Sequence, residues 1–149
     1  MNQDLFLAIL AMDAYNRGYG AGIANLGAEG SRLGEAKIIR QSDVDPDTPG
    51  VNAGFYAVAY KWTQEGAPTK TVISYRGTDN VTGEDPGTKG GSDLWNGWVT
   101  GAGVVAKQTE LAEQFYKTVT GQTGSYPTNA PNVILTGHSL GGGLAEVLQ

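Results

Sequence analysis

The chain has 149 residues, 40% hydrophobic, 9% aromatic and 17% charged, which supplies one ordinary globular core and leaves no room for a second full domain. Ten basic residues against fifteen acidic ones leave a net charge of −5, and along the sequence the cations occur only in pairs diluted by acids, so phosphate-backbone binding and a nucleic-acid partner are excluded. The absence of cysteine removes disulfides, thiolate metal sites and a cysteine nucleophile, and the 23 glycines follow no period, which removes collagen and solenoid folds.

Asn2 caps a predicted helix that runs to about Asn16. Its apolar residues Leu5, Phe6, Ile9, Leu10 and Met12 wrap most of the circumference, so the helix is expected to be sandwiched rather than laid on a surface. The run from Leu5 to Met12 falls far short of the ~20 residues that span a bilayer, and Asp4 stands where a secretory leader carries positive charge. Neither a transmembrane helix nor a signal peptide is read here, and the compartment stays open. Gly18 to Gly34 reads as glycine-punctuated loop, and Lys37 to Gln41 (KIIRQ) as a short edge strand.

Ser42 to Gly50 is loop chemistry, dense in aspartate and proline. Asp43, Asp45 and Asp47 fit the first three ligand positions of a calcium loop, but Thr48 stands where its glycine belongs and Gly54 where its glutamate belongs, so no metal is assigned. Phe55 to Trp62 and Lys70 to Arg76 are rich in aromatic and β-branched residues and read as an antiparallel hairpin. Both are apolar on both faces, which predicts a sheet covered on both sides. Turn residues follow from Asn80 to Ser92, where Gly83 to Lys89 lacks the Gly-Lys pair of a nucleotide loop.

DLWNGW is then expected to form a short helix before Gly101 and Gly103, with Trp95 and Trp98 serving either core packing or a lipid-facing surface. Val105 to Val119 reads as a longer amphipathic helix with Leu111, Ala112, Phe115 and Val119 on its packing stripe. Asn132 to Thr136 is a short apolar strand, and the order strand, helix, strand implies a right-handed parallel crossover from Lys70–Arg76.

Directly after that strand stands GHSLGG, which contains G-x-S-x-G at Gly137, Ser139 and Gly141. In so glycine-rich a chain the pattern alone arises by chance roughly 0.14 times, so its context must carry the reading. A nucleophile elbow needs a buried strand before it, small residues two positions either side of the serine, and a helix after it, and all are predicted here. If the two strands run parallel, their C-terminal ends share one edge. The N–H groups of Thr78 and Leu140 could then converge beside Ser139 as an oxyanion hole, the alternative for Thr78 being simple closure of a turn with Asp79.

Taken together, ISYRGTD, SDLWNGW and VILTGHSLGG resemble the class 3 lipase family of α/β-hydrolases, and LAILAMDAYNRG is similar to that family's opening helix. The resemblance covers most of the chain from Leu5. It implies hydrolysis of lipid or other acyl esters, with Ser139 as nucleophile, Thr78 at the oxyanion position after Arg-Gly, and Leu140 supplying the second oxyanion N–H. The family's lid would fall on Asn80 to Gly91, here a glycine- and acid-bearing insertion.

A serine nucleophile needs a base oriented by an acid. The only histidine, His138, precedes the serine and is expected to point away from its proton, and in α/β-hydrolases the acid and histidine follow the serine. Leu140, Leu144 and Leu148 mark an apolar face still in phase at Gln149, with no stop signal. The expectation is a single domain over residues 1–149, the N-terminal portion of an α/β-hydrolase catalytic domain with a mostly parallel sheet flanked by helices and incomplete at the C terminus. Its function is read as carboxylic ester hydrolysis through an acyl-serine intermediate, without a cofactor. The partners are an acyl ester or lipid substrate, a lipid interface, and a complementing C-terminal segment. The alternatives are a non-catalytic acyl-binding half domain, one chain of a split enzyme, or a Ser-Lys hydrolase using Lys107 or Lys117.

Overall fold

The computed structural model of the chain describes residues 2–16, 29–42, 55–76, 97–138 and 140–148. Side-chain alternation in two strands, β3 (Ala57–Trp62) and β4 (Lys70–Tyr75), organises them. Val58, Tyr60, Trp62 and Val72 enter one hydrophobic cluster, whereas Ala57, Ala59, Ile73 and Tyr75 enter another. Successive residues of a strand point to opposite faces, so two buried sets in period two make a sheet covered on both sides. That is the arrangement the apolar runs predict.

The sheet also contains β1 (Arg32–Leu33), β2 (Ala36–Gln41) and β5 (Val133–Gly137), in the order β1-β2-β3-β4-β5. The pairs from β1 to β4 are antiparallel, and β4 pairs with β5 in parallel. The expected mostly parallel sheet is therefore corrected to a mixed one among the described residues. For two of the three antiparallel pairs the reason is connection length: Gly34–Glu35 and Thr63–Thr69 are short enough for hairpins and too short for the crossover of a dozen or more residues that a parallel pair requires. Between β4 and β5, helix α2 (Gly97–Thr120) supplies such a crossover, and the parallel pairing read from the sequence is found there.

Three smaller expectations are corrected. Arg32–Leu33, placed in a loop, forms β1, so β2 is an inner strand and not an edge. The helix expected from Val105 begins at Gly97 and takes in Gly101 and Gly103, since two glycines cost about 1 kcal/mol each in a helix interior and do not break one that continues into a strong apolar stripe. Of that stripe, Ala112 and Phe115 are buried and Leu111 and Val119 partly so, as expected.

The first helix, α1 (Gln3–Asn16), has the cap the sequence predicts: the Asp4 N–H donates to Asn2 Oδ1 at 2.9 Å. It is not sandwiched. Phe6, Leu10 and Ala14, spaced i, i+4, i+8, pack onto the sheet face of Val58, Tyr60 and Trp62, while Leu5 and Met12 are 57% and 58% exposed. One stripe suffices to cover a sheet face, and Leu5 and Met12 lie off it. Under α1 lies a small polar set. Tyr60 Oη donates to the buried Asp13 carboxylate at 2.6 Å, and Ser74 Oγ donates to the Leu10 carbonyl at 3.2 Å, so the polar groups that α1 buries are tied to the strands beneath. The opposite face carries α2 through Ala112, Phe115 and Tyr116, and α3 (Leu140–Val147) through Leu144 and Ala145.

Two truncations separate the stripe from the exposed side of α1. Leu10→Ala, at a fully buried position, is expected to cost about 2–5 kcal/mol in urea unfolding, and Leu5→Ala to stay within about 0.5 kcal/mol. Equal losses at the two positions would contradict one-sided packing.

Candidate active site

The junction between β5 and α3 carries the motif. Gly137 ends the strand, His138 forms a bend, and Leu140 is the first residue of α3. The strand before the serine and the helix after it are thus where an elbow needs them. Ser139 itself and Thr78 lie outside the described residues.

What makes the junction tight is backbone packed directly on backbone. A Cβ placed on Gly137 would collide with the carbonyl of Gly141 and stand 2.8 Å from the Gly142 nitrogen. A Cβ on Gly141 would collide with the carbonyl oxygen of Tyr75 and stand 2.9 Å from the Arg76 carbonyl carbon. These neighbours are main chain, so no rotamer change can relieve the overlap. The Gly141 N–H donates to the His138 carbonyl at 3.0 Å, tying the first turn of α3 to the end of the strand. The first and last glycines of G-x-S-x-G therefore answer different contacts: Gly137 admits the helix to the strand end, and Gly141 admits the end of β4 to the helix.

That second contact brings the two sequence motifs together. Tyr75 pairs with Gly137 across the parallel ladder, so the chain leaves β4 and β5 side by side and in the same direction. Thr78 and Leu140 are each the third residue after this pair. Leu140, opening a helix, has an N–H with no intrahelical acceptor, the property an oxyanion donor needs. Arg76 is held at the exit of β4 from two sides: its N–H donates to the Tyr56 carbonyl at 2.9 Å, and its guanidinium lies over the Tyr56 ring, 5.0 Å from the centroid. Tyr56 Oη in turn donates to Gln41 Oε1 at 2.7 Å.

His138, Tyr75 and the two candidate lysines are engaged elsewhere. The exposed His138 ring stands against Tyr15 of α1, with centroids 4.6 Å apart and planes tilted by 53°. No sequence pattern pointed to Tyr15, because the contact joins a helix end to a strand end across the whole chain. The Tyr75 phenol donates to the Ala112 carbonyl at 3.3 Å, and its burial, helped by Tyr116 nearby, pushes its pKa far above the ordinary tyrosine range. It stays protonated at any working pH and acts as a packing group. Lys107 Nζ pairs with Glu110 at 3.0 Å, and Lys117 Nζ donates to the carbonyls of Gly124 and Ser125 at 3.3 and 3.4 Å, so both candidate lysines spend their ammonium groups on α2 and the loop after it. Among the described residues, no cluster of three or more His, Asp or Glu could hold a metal, and no helix is long and apolar enough to cross a membrane. Asp43, Asp45, Asp47 and Trp95 lie outside the described residues.

Comparison with known proteins adds one finding: residues 35–149 match the family described as lipase (class 3). No curated protein and no solved structure gives a match.

The glycine contacts make a sharp stability test. Gly141→Ala forces the β4 end away from α3 and is expected to destabilise by about 3 kcal/mol or more, at the upper end of overpacking costs. Gly143→Ala, in the same helix but with nothing within 4 Å of its added methyl, is expected to stabilise by about 0.5–1 kcal/mol. Thermal unfolding of the two variants beside the parent checks both signs.

Proposed function

Since this chain belongs to the class 3 lipase family, whose activity is the hydrolysis of carboxylic esters, we propose that Ser139 is its nucleophile and that the reaction passes through an acyl-serine intermediate. The observation that carries this reading is the glycine pair Gly137 and Gly141, neither of which has room for a Cβ, on either side of Ser139 at a strand-to-helix junction. Such crowding is what a sharp turn imposes, and a turn of that kind lifts the side chain at its apex out of the packed backbone around it.

On this reading the Ser139 hydroxyl attacks the ester carbonyl carbon and its proton passes to a base. The negative charge that develops on the carbonyl oxygen is met by the N–H groups of Leu140 and Thr78, each worth about 2.7–4 kcal/mol in comparable sites. Collapse of the tetrahedral species expels the alcohol, protonated by the same base, and leaves the acyl-serine, which water then hydrolyses by the reverse sequence. The Leu140 donor is supported by its place at the start of α3, and the Thr78 donor by the parallel exit of β4 beside β5. His138 is the one histidine of the sequence and its ring is engaged with Tyr15. On this reading the base and its acid are accordingly sought in polypeptide other than these 149 residues.

In an enzyme that includes the base and acid, Ser139→Ala is expected to lower kcat on a chromogenic short-chain ester by about 10⁶, the loss measured for a comparable serine nucleophile. The 149 residues alone should retain no more than the ~10³–10⁴ over water that binding and oxyanion donors supply. Turnover by the 149-residue protein that is abolished by Ser139→Ala would refute the assignment of the base. Turnover indifferent to Ser139→Ala would refute the nucleophile.

A further inference from the structure

One side chain of α1 reaches the candidate site, and its place is set by the residues just before it. The last two turns of α1 are tied to the sheet strand by strand: the Leu10 carbonyl accepts from Ser74 Oγ of β4 at 3.2 Å, and the Asp13 carboxylate accepts from Tyr60 Oη of β3 at 2.6 Å. Leu10, Asp13 and Ala14 are fully buried. The helix can therefore neither slide nor roll without breaking a buried hydrogen bond, and a bond broken there leaves a polar group unsatisfied in the core. Tyr15 follows directly, and its ring meets the imidazole of His138, with centroids 4.6 Å apart and planes tilted by 53°.

As a source of stability the contact is poor. His138 is exposed and Tyr15 only partly buried, so little apolar surface leaves water, and holding an exposed ring still costs rotamer entropy. What the contact fixes is a residue with a particular place in the chain. The His138 carbonyl accepts the Gly141 N–H at 3.0 Å, Gly137 before it is packed on the main chain of Gly141, and Ser139 follows it directly. A peptide unit is planar, so the orientation of the His138 carbonyl is also the orientation of the Ser139 nitrogen. Any rotation at His138 thus moves the link to the first turn of α3 and the entry into Ser139 together. Gly137 and Gly141 are gripped through main chain, whereas His138 is gripped through its side chain as well, and the ring that does so belongs to an anchored helix.

We propose that Tyr15 is a positioning residue for the nucleophile: it holds the His138 ring against α1, and through His138 it fixes the peptide that leads into Ser139 and the aim of the Leu140 N–H. The part played in the reaction rests on the ester-hydrolase reading above, whereas the clamp itself stands without it. Reacting groups must be held to within about 0.5 Å, and a misplacement of about 1 Å costs on the order of 10²-fold in rate. A contact that adds little to stability can therefore weigh heavily on turnover.

The test compares Tyr15→Phe, which keeps a ring, with Tyr15→Leu, which does not. The sequence holds one histidine, so in proton NMR of the 149-residue protein the imidazole signal is unambiguous. It should be displaced by the neighbouring ring in the parent and in Tyr15→Phe, and return to the position of a free histidine in Tyr15→Leu. Amide hydrogen exchange then reads the junction. The Gly141 N–H should exchange at least about tenfold faster in Tyr15→Leu, while the amide of Tyr116 in the core speeds up by less than about threefold and the melting temperature falls by less than about 2 °C, the pattern of local loosening in an intact fold. In an enzyme that includes the base and acid, kcat on a short-chain chromogenic ester should fall by about 10- to 100-fold in Tyr15→Leu with KM within about threefold, and stay within about threefold of the parent in Tyr15→Phe. His138→Ala removes the other half of the contact, and the double variant with Tyr15→Leu should lose no more than either single one.

An imidazole signal indifferent to Tyr15→Leu, Gly141 exchange no faster than that of Tyr116, a kcat unchanged by loss of the ring, or losses that add in the double variant overturns the proposal. So does a loss in Tyr15→Phe equal to that in Tyr15→Leu. Faster exchange at Gly141 in a protein whose turnover is indifferent to Ser139→Ala leaves the clamp standing and removes the hydrolase reading instead.

Discussion

Everything at the candidate site depends on three backbone segments meeting where no side chain fits between them. The end of β4, the end of β5 and the first turn of α3 touch through the Tyr75 carbonyl, Gly137 and Gly141. A methyl group at either glycine would drive main chain against main chain, and packed interiors do not absorb such overlap by small adjustments. The contact fixes α3 relative to both strands at once. It thereby fixes the direction in which the Leu140 N–H points and the point from which the chain sets out toward Thr78. If Ser139 and Leu140 act as proposed, the same few atoms that hold the strand end against α3 also preorganise the reaction's groups, which is the economy that makes oxyanion donors effective.

How much of this was legible in the sequence varies with the range of the interaction. The strands over Phe55–Trp62 and Lys70–Arg76, the cap at Asn2 and the strand before the motif follow from local pattern, and each is found within one or two residues. Gly137 and Gly141 were legible because the elbow motif encodes its own steric requirement. Sheet order was less so. The hairpin of β3 and β4 was legible from its short connection, whereas the antiparallel pairing of β1 and β2 was not, because Arg32–Leu33 is too short to read as a strand, and the sheet was expected to be mostly parallel. One-sided burial of α1 was missed for a related reason. Apolar residues around a helix state what could be buried, and the amount of facing surface decides what is.

The Tyr15–His138 contact shows the limit most plainly. Read along the chain, Tyr15 is an aromatic near a helix end and His138 fills an unspecified position of the motif, and neither residue carries any sign of the other. They become neighbours only through the parallel pairing of β4 with β5 and the hydrogen bonds that seat α1 on the sheet. The motif states what the backbone of the junction requires, and it is silent on what holds that junction from outside.

The mixed sheet also orders events in time. Strands β1 to β4 close through neighbouring segments, and β2, β3 and β4 share the cluster that α1 covers. Pairing β5 to β4 instead requires closing the long stretch of chain between Tyr75 and Val133, and the entropy of that closure must be met before the new contacts repay it. The meander is therefore the early-forming part and the β4–β5 seam the late one, so changes confined to β5 act mainly on how fast the protein unfolds. The glycine-rich motif sits on that late seam. If the proposed nucleophile is right, catalytic competence on this topology waits for the long closure that joins β5 to β4.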